Sequence, residues 1–181
     1  MKNLSFNLIA FLLVMVIVSS CKDEEEDKGP TNYFTYKGKK IALTKGTVKG
    51  YSPVEDDGDL FYRWSISFTS SGVFYEGGGD FSGKGDAILM DMYSINDESR
   101  LPAGKYTYTP GAGEHLAHDA IILININFAD PDETEYVLLE DADDMEITVA
   151  KSGDNDIITF TAVYAGETIT CTFTGPLVES E

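Results

Sequence analysis

From Tyr33 onward, apolar residues recur at every second position and helical spacing is absent. In Phe61-Tyr62-Arg63-Trp64-Ser65-Ile66-Ser67-Phe68, the residues Tyr62, Trp64, Ile66 and Phe68 share one face, and Arg63, Ser65 and Ser67 share the other. Residues 121–128 place Ile122, Ile124, Ile126 and Phe128 opposite Asn125 and Asn127. The run Ala87-Ile88-Leu89-Met90-Asp91-Met92-Tyr93 is apolar on both faces, which predicts a central or covered strand. Near the end, Ile158, Phe160, Ala162 and Tyr164 are followed by Ala165-Gly166-Glu167 and then by Ile169, Cys171 and Phe173. That is a tight hairpin, with glycine available for positive φ. A one-residue slip would expose its whole apolar set, so its register is strongly specified.

Turn-forming residues separate these runs: Lys37-Gly38-Lys39, residues 53–59, a glycine-rich stretch at 70–83, Leu101-Pro102-Ala103-Gly104, Asp130-Pro131-Asp132-Glu133 and Ser152-Gly153-Asp154-Asn155. About ten strands follow, near 33–37, 40–50, 60–69, 85–95, 104–109, 119–128, 134–139, 145–150, 156–164 and 168–174. The expected fold is all-β, an antiparallel barrel or sandwich, largely a meander, in a single domain over residues 33–181.

The first 32 residues follow another logic. Met1-Lys2-Asn3 gives a short positive start, and residues 8–18 are eleven consecutive apolar residues. That length suits a signal peptide (residues 1–20) and is too short for a membrane-spanning helix. Val18-Ser19-Ser20-Cys21 resembles the lipobox of bacterial lipoproteins. The resemblance implies that the Cys21 thiol receives diacylglycerol and that the chain is cut before it. Lys22-Asp23-Glu24-Glu25-Glu26-Asp27-Lys28 resembles the acidic surface-export signal of Bacteroidota lipoproteins, which implies the outer face of the outer membrane. Within the lipidated Cys and charged tether (residues 21–32), residues 22–32 would reach up to ~36 Å from the bilayer if fully stretched. The pattern Leu101-Pro102-Ala103-Gly104-Lys105-Tyr106, together with Thr174-Gly175-Pro176-Leu177, is similar to small all-β Bacteroidota lipoproteins. Some of these resemble calycin barrels and others sandwiches.

Thirteen Lys and Arg oppose 31 Asp and Glu. Loss of the first 20 residues removes only Lys2 among the charged groups, leaving twelve against 31, a net charge of −19. Such a surface disfavours nucleic acid and anionic headgroups. With Cys21 acylated, Cys171 has no partner, and its place between Ile169 and Phe173 marks it as a core residue.

Catalytic signatures are not evident. Gly78-Gly79-Asp80-Phe81-Ser82-Gly83-Lys84-Gly85 imitates a phosphate-binding loop but has Gly85 where a Ser or Thr should hold magnesium, and it leads into a strand. His115 and His118 fall in an expected loop, with no third histidine or cysteine to complete a zinc site. Gly-x-Ser-x-Gly is absent. The acidic turns offer a calcium hypothesis through Asp56, Asp57, Asp59, Asp130, Asp132, Asp154 and Asp156, though the same residues serve as solubilising turns. In a strict up-and-down meander, residues 55–59, 97–98, 130–133 and 154–156 would share one rim with Arg100 and Lys151.

The function expected is non-catalytic binding of a glycan, protein or peptide, with Phe74, Tyr75, Phe81, Tyr106 and Tyr108 as candidate contact residues. The alternatives are a calycin-like carrier, holding a small apolar ligand among Trp64, Ile66, Met90 and Met92, and a structural or adhesive surface component. The replacement Cys21→Ala is expected to move the protein from the membrane pellet to the soluble fraction. A variant that still pellets would refute the anchor.

Overall fold

The structure is a computed structural model that describes residues 29–56, 59–77, 80–95, 100–108, 115–130, 132, 134–139 and 142–179. The signal peptide, Cys21 and most of the tether lie outside the described residues. The first seven strands are β1 (Tyr33–Tyr36), β2 (Lys39–Ala42), β3 (Lys45–Gly50), β4 (Val54–Asp56), β5 (Asp59–Thr69), β6 (Val73–Gly77) and β7 (Asp80–Ser94). They are followed by β8 (Gly104–Thr107), β9 (His115–Asn127), β10 (Glu135–Leu138), β11 (Asp144–Ser152), β12 (Asn155–Tyr164), β13 (Glu167–Gly175) and β14 (Leu177–Glu179). No helix occurs among the described residues.

The strands form one sheet in the order β14-β3-β5-β7-β9-β8-β11-β12-β13-β1-β2, curled into a half-barrel. Strands β4, β6 and β10 pair at its margins with β5, β7 and β9. Most pairs are antiparallel, as the short turns dictate, but β8–β9 and β14–β3 are parallel. Pro176 alone separates β13, bonded to β12, from β14, bonded to β3. The chain itself thus links two regions far apart in the sheet order.

Alternation decides which side faces in. Trp64, Ile66 and Phe68 of β5, Ile88, Met90 and Met92 of β7, Ile147 and Val149 of β11, Ile158 and Phe160 of β12 and Ile169, Cys171 and Phe173 of β13 fill a single core. Each large side chain removed from water here contributes ~1.5–3 kcal/mol. Phe68 and Phe173 stack across the interior with ring centroids 4.5 Å apart and an interplanar angle of 26°. Gly46 of β3 permits the approach: a Cβ there would lie 2.6 Å from Leu177 Cδ2 and 3.0 Å from the Phe173 ring. Cys171 is buried, and burial pushes its thiol pKa up.

Several expectations change. The stretch 70–83 is not one long loop: β6 pairs with the start of β7, Val73 opposite Gly83 and Tyr75 opposite Phe81. Its glycines serve close backbone approach, since a Cβ on Gly83 (φ +90) would stand 2.1 Å from the Gly72 carbonyl oxygen. The imitation phosphate loop, in its described part, is therefore strand. His115 and His118 likewise belong to β9, not to a loop. The span 40–50 divides at Leu43-Thr44, because Leu43 is buried in the core and Thr44 donates its N–H to Thr69. Residues 121–128 do not present one apolar face. Ile124 and Asn125 together stand opposite Asp86, a bulge in which Asn125 adopts φ 54 and donates its N–H to Asp86 Oδ1 at 3.0 Å. Ile122 and Ile124 therefore point to the main core, whereas Ile126 and Phe128 join Val73, Ala87 and Leu123 in a second cluster outside the sheet.

Tyr164 pairs with Glu167, leaving Ala165 (φ 51) and Gly166 (φ 79) as a two-residue hairpin turn with positive φ at both positions. Alanine is strained there, and asparagine tolerates that region. Ala165→Asn is therefore expected to stabilise the domain by ~1 kcal/mol, raising Tm by about 2–4 °C in a thermal melt. A lowered Tm would contradict this turn assignment.

Candidate surface groove and end cavity

Because Trp64, Ile66 and Phe68 point inward, their neighbours Arg63, Ser65 and Ser67 face outward. The strand register carries this across four strands. Lys49, Ser65, Asp91 and Asp119 form one cross-strand row, and Thr47, Ser67, Leu89 and Ile121 form the next. These two rows floor a groove of about 350 Å³ on the outer face of β3, β5, β7 and β9. Polar groups in one row and an increasingly apolar neighbour suit an amphipathic ligand.

The polar row is internally organised. Arg63 donates through Nη2 to Asp91 Oδ2, and Ser65 donates through Oγ to Asp91 Oδ1. The Asp91 hydrogen bond raises the Arg63 pKa, so the guanidinium stays charged. The Arg63 guanidinium also lies 4.9 Å from the centre of the Tyr51 ring, and Lys49 Nζ lies 5.7 Å from it. Arg63 Nε is buried without a partner. Asp119 pairs with His118 Nδ1 at 3.3 Å.

The β6–β7 hairpin folds over the same outer face. It rests on the second apolar cluster, against Leu89, Ile121 and Phe128. Phe81 stacks on Phe128 at 5.7 Å and meets Tyr75 edge-on at 5.4 Å. Lys45 Nζ stands 5.9 Å from the Tyr75 ring centre. Tyr75 thus flanks the start of β3 and Tyr51 follows its end, with the polar row between them.

A larger concavity, about 930 Å³, opens at one end of the half-barrel. Its apolar wall is Val48, Trp64, Leu101, Pro176 and Leu177, and its rim carries Arg100, Lys151, Asp154, Asp156 and Glu179. Lys151 is ion-paired with Asp156.

Of the five aromatics expected at a binding site, Tyr75 and Phe81 line the groove. Phe74 sits between β6 neighbours that face the other way and is exposed. Tyr106 is fully buried, and its hydroxyl donates to the Pro102 carbonyl at 2.9 Å, so it anchors the β8 turn from within the core. Tyr108 is half-buried against the main core.

The strict meander on which the expected acidic rim rests is absent, because β8 is inserted between β9 and β11 and breaks the alternation of the turns. Asp154 and Asp156 do meet Arg100 and Lys151 at the end cavity, whereas Asp130 and Asp132 do not line it. The side chains of Asp56, Asp57 and Asp59 lie outside the described residues. Among the described residues, no group of three or more His, Cys, Asp or Glu side chains is placed to hold a metal ion. Alternation along β5 sets Arg63, Ser65 and Ser67 outward, but it does not reveal Asp91 as the partner of Arg63 and Ser65. Its signal was the one acid within the otherwise apolar run Ala87–Tyr93.

No protein-family model, curated protein or solved structure matches the chain. Nothing in these comparisons or in the described residues positively indicates catalytic activity.

Asp91→Ala removes the carboxylate that accepts from both Arg63 and Ser65. The expected cost is about 1–2 kcal/mol in a urea melt, held down because the groove is open to water. A destabilisation indistinguishable from zero would show that the row is not organised through Asp91.

Proposed function

We propose that the protein is a surface-exposed lipoprotein, held in the outer membrane through Cys21, whose domain is a non-catalytic binding module with a glycan as ligand. The observation that carries this reading is the polar row Lys49–Ser65–Asp91–Asp119 lying between Tyr51 and Tyr75 on the outer face of the sheet. Sugars present hydroxyls around a ring with apolar faces. A carboxylate, a guanidinium and serine hydroxyls match the hydroxyls, and aromatic rings match the faces. The Asp91 clamp on Arg63 holds donors and acceptors in place before a ligand arrives, which lowers the ordering cost of binding. A volume of about 350 Å³ is near the lower end of small-ligand sites, ~300–1,000 Å³, and fits a short oligosaccharide segment.

The calycin-like carrier finds less support. Ile66, Met90 and Met92, expected to line an internal chamber, are 0 %, 1 % and 0 % exposed and pack within the main core. Trp64 of that set borders the large cavity at the end of the half-barrel, and Met90 lines the outer groove.

Screening the protein against a glycan array, followed by calorimetry, tests the reading. A hit should weaken about tenfold, or ~1.4 kcal/mol, in Tyr51→Ala and in Tyr75→Ala. Glycan binding that both variants retain at full strength would exclude the groove. A bare array together with a protein or peptide ligand captured at the groove would replace the glycan.

A further inference from the structure

We infer that the end cavity is a second binding site, which takes a short extended peptide along the free edge of β14. Among the described residues, strand β14 stands at the end of the sheet and pairs on one side only, with β3. Its Leu177 and Glu179 line the cavity. An edge strand bordering a cavity of about 930 Å³ offers unpaired N–H and C=O groups where a ligand could lie. Peptides recognised by strand addition use that pattern: main-chain bonds to the edge, with alternate side chains in pockets. Three residues of β14 span ~10 Å, the length that three or four peptide residues cover.

The wall of the cavity points the same way. Trp64 is 7 % exposed and borders the cavity, yet its indole N–H is buried with no hydrogen-bond partner. An unpaired buried donor costs about 1–3 kcal/mol, and a peptide carbonyl that reaches it as the cavity wall adjusts would relieve that cost. Gly50 packs against the six-membered ring of the indole, where a Cβ would come within 3.0 Å of Trp64 Cζ3. Arg100 at the rim makes no ion pair among the described residues, whereas Lys151 is neutralised by Asp156. The Arg100 guanidinium and the carboxylates of Asp154 and Glu179, all lining this cavity, complement a molecule that carries both a carboxylate and an ammonium, as a short peptide does. A fatty acid would leave the strand edge and the indole unpaired and would set its carboxylate beside two others. This inference concerns the inner end of the half-barrel and is independent of the outer groove.

Trp64 is the single tryptophan of the chain, so its emission reports on this cavity. The full-length protein is titrated with tetrapeptides bearing free termini and Leu, Val or Phe at the second and fourth positions. The expected result is a saturable shift of Trp64 emission, about tenfold weaker in Arg100→Ala and absent when the peptide backbone is N-methylated. Three results would overturn the inference: no emission change with millimolar peptide, equal binding of the N-methylated peptides, or saturable binding of decanoate with none of peptide.

Discussion

Phe68 of β5 and Phe173 of β13 stack face to face across the interior, although β7, β9, β8, β11 and β12 separate their strands in the sheet. The sheet cannot bring them together and stay flat. Twist alone rotates neighbouring strands by some 20–25°, and burying both rings turns that twist into curl. Gly46 beside them leaves room for Phe173 and Leu177, and the chain then crosses at Pro176 to pair with β3. The inward alternation of β5, β7, β11, β12 and β13 extends the same contact into one core.

The outer groove is a consequence of this inward demand. Once Trp64, Ile66, Met90 and Met92 are committed to the core, period-2 geometry sends Ser65, Ser67, Leu89 and Asp91 to the outside. The β3–β5–β7–β9 register then aligns them into rows that no single strand could form. The second apolar cluster serves the site directly, because it seats the β6–β7 hairpin that supplies Tyr75 and Phe81. Core and site therefore use opposite faces of the same strands, so a substitution on one face can be made with little disturbance of the other.

Much of the architecture was legible in the chain, and the reasons it was not elsewhere are local. The faces of β5, β12 and β13 follow from strict alternation, including the buried Cys171. In β9, alternation fails at Asn125, because a bulge held by the Asp86 carboxylate reverses the faces beyond it. Hydropathy carries no trace of that hydrogen bond. The glycines at 72 and 83 read as loop, yet they permit two backbones to come close within a hairpin. The insertion of β8 between β9 and β11 depends on its non-local pairing with β11, Tyr106 opposite Ile147, and no turn signal specifies it. For the site, the chain revealed aromatic content but not its use: Tyr106 is satisfied internally by Pro102, and Asp91 gains its role only through cross-strand register.

The most direct test of the account is the coupling energy between the two stacked rings, measured in a double-mutant cycle of Phe68→Leu and Phe173→Leu by denaturant unfolding. Aromatic pairs in contact contribute about 0.5–1.5 kcal/mol beyond their separate burial, and the cycle should return a coupling of that size. Additivity of the two substitutions within error would mean that the rings do not meet, and the curled sheet described here would be wrong.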